Sequence, residues 1–209
     1  MAGNVNIVRR YALLVATFPL LALTALAAPE GHAAPACGTT DPSRAPAVIT
    51  GFDGYTAVNL CDYAGPNHYG WSSYRFKTAD GVHCELYDGP NSWQYYSSIT
   101  CWGKLPGVPT GVTQVEVAAG GTASYGQADV KQKETQNGGG PVDPASYREL
   151  ARQKIVVPGA KGSVDENDEV CATAGDGSLT CEIQNPGEAW GQDKKTHGFV
   201  LSVQGSRVY

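Results

Sequence analysis

The chain has 209 residues, 15 basic side chains against 20 acidic ones and a formal charge of −5. An acidic chain with only 17% charged residues excludes binding to nucleic acid or anionic membrane through charge. Glycine is abundant, at 26, and the length suits one domain or two small lobes, which points to a loop-rich β protein.

Arg9 and Arg10 precede an apolar run over residues 11–28 that contains Ala25-Leu26-Ala27 near its end. A charged start, an apolar stretch and a small-x-small end predict a secretory signal over residues 1–27, with a second possible cut after Ala33. A retained membrane anchor is the rival reading, because the run is just long enough to span a bilayer. Pro19 and the trailing alanines favour cleavage. The hydroxyl residue usual before a twin-arginine pair is replaced by Val8, and Ala34-Pro35-Ala36 is a poor context for lipidation of Cys37. Cleavage removes Arg9 and Arg10 and leaves 13 basic residues against 20 acidic ones. No stable membrane insertion is then expected.

Residues 28–50 are rich in Ala and Pro and read as extended. An aromatic-rich β lobe follows over 51–118. Within it, residues 74–78 and 82–87 flank Asp80-Gly81 and predict a hairpin, because Asp-Gly supplies positive φ at low cost. Residues 97–102 predict a third strand, and Pro106, Gly107 and Pro109 then break the pattern. Residues 119–143 hold Gly138-Gly139-Gly140-Pro141 and read as a Gly-rich linker or long loop, with room for short strands near 112–117 and 122–130. Asp143-Pro144 resembles an N-cap followed by Pro at the first helical position. Tyr147, Leu150, Ala151 and Lys154 keep helical spacing, so a short helix is predicted over 144–153. The rest of a C-terminal β lobe, 144–209, is predicted as short strands near 155–157, 169–173, 178–183, 198–202 and 207–209.

Six cysteines in an exported chain predict a disulfide framework. Proximity suggests Cys37–Cys61, Cys84–Cys101 and Cys171–Cys181. The phrase Thr78-Ala79-Asp80-Gly81-Val82-His83-Cys84-Glu85 is echoed by Thr173-Ala174-Gly175-Asp176-Gly177-Ser178-Leu179-Thr180-Cys181-Glu182. The expected fold is therefore mainly β. It has two small disulfide-stapled lobes built on hairpins, barrel- or sandwich-like, with one short helix and a Gly-rich loop between them.

Phe76-Lys77-Thr78-Ala79-Asp80-Gly81-Val82-His83-Cys84, Val157-Pro158-Gly159, the Cys171 to Cys181 hairpin and Thr196-His197-Gly198-Phe199-Val200-Leu201-Ser202 together resemble a known group. It consists of small secreted proteins and lipoproteins of mycobacteria and related actinobacteria. The early motif lacks the group's Pro and is one residue shorter. The resemblance implies a β-rich secreted domain with paired cysteines, and it supplies no catalytic residue.

No Gly-x-Ser-x-Gly elbow, His-Glu-x-x-His pair or phosphate loop occurs. No metal or cofactor is expected. Asp165-Glu166-Asn167-Asp168-Glu169 is the densest carboxylate run, but Val170 stands where a calcium loop needs Gly, and a solvated turn is the plainer reading. His68, His83 and His197 have no partner pattern, and His197, retained in the group-like ending, is read as a buried or turn-capping residue. Trp71, Trp93, Tyr95, Tyr96 and Trp102 are the candidate ligand-binding residues. Consecutive rings on a strand cannot share one face, and exposed rings stack on sugars or on protein partners. Covering a small core is their plainer role.

The first expectation is thus a non-enzymatic binding module with an unknown extracellular protein or glycan as partner. The second is a hydrolase of wall polymers using Asp80, Glu85 or Asp88, which needs two carboxylates about 5–9 Å apart. The third is a protease inhibitor presenting the loop around Pro90 and Ser92.

Overall fold

A computed structural model describes residues 50–65, 72–90, 95–131, 133, 147–159, 167–184 and 196–209. Among these residues twelve strands form two six-stranded sheets. The strands are β1 (Thr56–Ala57), β2 (Ser72–Lys77), β3 (His83–Pro90), β4 (Tyr95–Trp102), β5 (Gln114–Ala118) and β6 (Ser124–Gly126). They continue as β7 (Arg148–Glu149), β8 (Gln153–Val157), β9 (Asp168–Thr173), β10 (Leu179–Gln184), β11 (Thr196–Leu201) and β12 (Arg207–Val208). A 3-10 turn, Leu60–Tyr63, follows β1, and the Asn59 side chain caps it by accepting from the Cys61 N–H at 3.1 Å.

The first sheet runs β6-β5-β4-β3-β2-β7 and the second β1-β8-β9-β10-β11-β12. Each is an antiparallel meander of five strands with one parallel strand added at the edge. The added strand comes from the other half of the chain. β1 pairs with β8, Thr56 opposite Gln153, and β7 pairs with β2, Arg148 opposite Phe76.

The sheets pack as a sandwich, with β10 on β4 and β5, β11 on β5 and β9 on β4. They do not close into a barrel. Alternation along each strand sends one side-chain row inward. Phe76, Leu86, Ile99, Val115 and Val117 from the first sheet, with Ile155, Leu179, Phe199 and Leu201 from the second, form one core cluster. Both expected hairpin disulfides, Cys84–Cys101 and Cys171–Cys181, lie fully buried in that cluster. Each joins residues directly opposite in neighbouring antiparallel strands. Cys61 is half-buried and forms no disulfide among the described residues, and its expected partner Cys37 lies outside them.

The two Asp-Gly turns share a conformation. Gly81 and Gly177 have φ of 81° and 82°. Gly81 N–H donates to Thr78 C=O, and Thr78 N–H donates to Val82 C=O. Ala174, Gly177 and Ser178 repeat the arrangement. This is the three-residue hairpin loop that ends in a left-handed glycine.

Their places in the meanders differ, which corrects the expectation that each echoed hairpin carries its own clamp. Asp176-Gly177 joins β9 to β10, the strands tied by Cys171–Cys181. Asp80-Gly81 joins β2 to β3, whereas Cys84–Cys101 ties β3 to β4. By topology Cys84 corresponds to Cys171, one strand out of step with the sequence echo. A local turn signal marks a hairpin, not its position in a meander.

The helix expected over 144–153 is not formed among residues 147–153. Arg148 and Glu149 are β7, the Leu150 N–H donates to the Lys77 C=O at 2.9 Å, and β8 begins at Gln153. Pairing with β2 outweighs the weak preference of a short helix. Tyr147 and Leu150 are both buried, but Leu150 enters the main core while Tyr147 packs with His83 and Trp102. Arg152 then takes φ of 54° to carry the chain from one sheet to the other, and its N–H donates to Thr173 Oγ1. Of the segment read as a Gly-rich linker over 119–143, residues 124–126 form β6, and Val130, Lys131 and Lys133 are helical.

Replacing Cys171 and Cys181 together with Ala is expected to destabilise by about 3 kcal/mol. That lowers the thermal midpoint by roughly 6–12 °C for a chain of this size, read by circular dichroism. A shift below about 2 °C would mean that the bond adds nothing to the core around it.

Candidate functional site

The two ends of the sandwich are built differently. At one end the short turns meet. The Asp80 Oδ2 atom lies 3.3 Å from where a side chain on Gly177 would begin, so the two Asp-Gly turns are neighbours. The β4–β5 and β11–β12 connections meet there too. Ser206 N–H donates to Gly107 C=O at 3.1 Å and Ser206 Oγ donates to Pro106 C=O. Gly107 has φ of 62°, and a Cβ on it would stand 2.0 Å from the Ser202 carbonyl oxygen. Only glycine permits this approach.

The other end gathers the remaining connections between meander strands. Ser72 opposes Asp88, and Pro90 opposes Tyr95, so the segment entering β2 and the segment joining β3 to β4 leave the first sheet together. Val157 opposes Glu169 and Gln184 opposes Thr196, so residues 160–166 and 185–195 leave the second sheet at its corresponding end. Trp71 and Trp93 lie outside the described residues, but their described neighbours start at this loop end. Tyr95 and Tyr96 are the first residues of β4, opposite Pro90 and Gly89.

The inward row turns polar towards the loop end. Asp88 and Ser97, cross-strand partners in β3 and β4, are buried on the side of the Cys84–Cys101 disulfide. On β9 Glu169 is fully buried between Val157 and Ile183. His197 sits opposite Ile183 in β11, and its Nδ1 is buried without a hydrogen bond. Asn167 is buried as well. The expectation of a solvated turn over 165–169 therefore fails at Asn167 and Glu169, while Asp165 and Glu166 lie outside the described residues. β9 begins at Asp168, which accepts from the Gly159 N–H at 3.0 Å, and strand alternation then points Glu169 inward. The parity of Glu169 with Cys171 was the signal available in the sequence.

Trp102 is placed elsewhere. It lies on the outer face of the first sheet, near the turn end, and is fully buried. Tyr147 meets it edge-on at 6.2 Å, His83 packs on Tyr147 at 4.7 Å and the Lys133 Nζ lies 5.9 Å from the Trp102 ring centre. Among the described rings, Trp102 is thus part of a packed cluster and offers no exposed stacking face. The same outer face carries the Arg75–Glu85 ion pair at 2.8 Å, beside the buried Ser73, Ser98 and Thr100.

The carboxylates considered for glycosidic chemistry do not converge. Asp80 is in the turn end, Glu85 is on the outer face against Arg75, and Asp88 is on the inner face. His68 and the residues after Pro90 in the third candidate, the inhibitor loop, lie outside the described residues. Among the described residues no three His, Cys, Asp or Glu side chains gather as metal ligands, and no helix is long and apolar enough to cross a membrane.

Comparison with known proteins finds no matching family model, curated protein or solved structure. The two buried disulfides in a β sandwich are consistent with a secreted, covalently stabilised protein.

Four tyrosines hold their protons above the ordinary value of 10.0. At Tyr63 burial is the main cause, against the opposing Arg148 charge. Burial also raises Tyr87, with Glu85 adding to it, and Tyr125. Tyr209 is raised by burial and by its 2.6 Å hydrogen bond to Glu182. A phenol that binds its proton more tightly when folded adds stability below pH 10, and that stability fades as pH rises through the folded value. The unfolding midpoint is expected to fall between about pH 10 and pH 11, and to fall less in Tyr209→Phe. Parallel curves for the two proteins would contradict the assignment.

Proposed function

We propose that the protein is an exported binding module, acting outside the cell or at its envelope, with the loop end of the sandwich as its recognition surface. The observation that carries this reading is the asymmetry of the two ends. At one end the connections interlock through Gly107, Ser206 and the two Asp-Gly loops. At the other the segment entering β2, the β3–β4 connection and the longer β8–β9 and β10–β11 connections of the second sheet start from a rigid frame, the arrangement that lets loops vary and bind while the scaffold stays fixed.

The chemistry at that end suits a polar partner with faces for stacking. The segments bearing Trp71 and Trp93 start from neighbouring strand ends of the first sheet, and tryptophan is among the side chains that dominate recognition. Asp88, Ser97 and Glu169 give the inner layer a polar margin beneath them. A glycan or an extracellular protein fits this combination. The dispersed positions of Asp80, Glu85 and Asp88 favour binding over glycosidic cleavage by those carboxylates.

A glycan array and a pull-down from envelope extract, run side by side, test the reading. Retention by the wild-type chain is expected on one of them, reduced roughly ten- to thirty-fold in Trp71→Ala/Trp93→Ala with the circular dichroism unchanged. Equal retention of the double variant would place recognition elsewhere, and no retention on either would remove the proposal.

A further inference from the structure

The halves of the chain repeat one plan. In the first, β1 precedes the meander β2–β6, and in the second, β7 precedes the meander β8–β12. Each disulfide ties the second strand of its meander to the third. The preceding strand never joins its own meander. It adds in parallel to the first strand of the other, β1 to β8 and β7 to β2.

The exchange extends equally past each strand. Val58 N–H donates to Lys154 C=O at 2.9 Å, and Leu150 N–H donates to Lys77 C=O at 2.9 Å. Side chains then bind across it: Arg148 pairs with Asp62 at 2.9 Å, Tyr63 Oη donates to the Glu149 C=O at 3.1 Å, and Lys154 Nζ donates to the Phe52 C=O at 2.9 Å. Reciprocal donation of the same element is how two copies of a chain make a swapped dimer. Here both copies of the plan lie in one chain.

We infer that the molecule is a fused strand-exchanged pair, in which each half is the binding partner of the other and a half from a second copy of this chain can take that place. Neither observed disulfide crosses between the halves, since Cys84–Cys101 lies in the first and Cys171–Cys181 in the second. What joins them is the exchange and the common core, where Leu86, Ile99 and Val117 of one half and Ile155, Phe199 and Leu201 of the other are all fully buried or nearly so. A half alone would expose that whole apolar layer to water. The peptide connection is therefore not what keeps the halves together, and a molecule cut once between Lys133 and Tyr147 remains one folded body.

The test uses the full chain with a specific protease site placed between residues 137 and 138, folded first and cut afterwards. The two pieces are expected to co-elute at the intact mass by size exclusion and to part only in denaturant, with no reductant needed. Cut wild-type molecules, unfolded and refolded with a cut version carrying a mass tag on its second half, are expected to give hybrids in statistical proportion. Val58→Pro, which lacks the N–H that meets Lys154, is expected to make the cut molecule dissociate at least about ten-fold more readily. Separation of the pieces at micromolar concentration, or their failure to form hybrids, would overturn the inference. An unchanged Val58→Pro dissociation would deny the strand exchange its role.

Discussion

Neither sheet can be completed from its own half of the chain. The second sheet takes its parallel edge from Thr56–Ala57, and the first takes its own from Arg148–Glu149. This exchange fixes how the meanders face one another, because each is anchored at its first strand by a segment running out of the other half. The inward rows then have a single partner each, and one core cluster forms between the sheets with both disulfides inside it. Small sheets with one covered face are marginal alone, and sharing a core is how two of them become stable together. Arg152 shows the local cost of the arrangement: a non-glycine residue adopts a left-handed φ to turn from β7 into β8, held by Thr173.

From the shared core follows the asymmetry of the ends. Fixing the two meanders face to face brings the β2–β3 and β9–β10 turns into contact and sets the β4–β5 connection against β11–β12. Those connections are constrained by their neighbours down to the absence of a Cβ at Gly107. Towards the opposite end the inner layer changes from Leu, Ile and Phe to Asp88, Ser97 and Glu169. A rigid, covalently stapled body is suited to presenting loops to a partner.

Much of the strand plan was legible in the sequence because its signals are local. Asp80-Gly81 and Asp176-Gly177 announce hairpins, β-rich runs lie beside them, and Cys84–Cys101 and Cys171–Cys181 are close enough along the chain to be paired by proximity. What escaped is non-local. Tyr147 and Leu150 have helical spacing, and only pairing with β2, some seventy residues earlier, makes them two faces of an extended segment. The sequence echo aligned Cys84 with Cys181, whereas the meanders align it with Cys171, since a turn motif carries no record of which hairpin it closes. Glu169 looked solvated among its acidic neighbours, and its burial depends on the residue at which β9 begins. For the aromatic candidates, Trp102 turned out to be packed under Tyr147 and Lys133, a contact assembled from three separate parts of the chain.

The central claim is that the exchange fuses the two disulfide-tied meanders into one cooperative unit. Native-state hydrogen exchange, following amides of β3–β4 and of β9–β10 through rising denaturant, tests it most directly. The account predicts that both sets converge on one opening free energy and one denaturant dependence, the mark of a single unfolding event. Two separate plateaus, with one meander opening while the other stays protected, would contradict it.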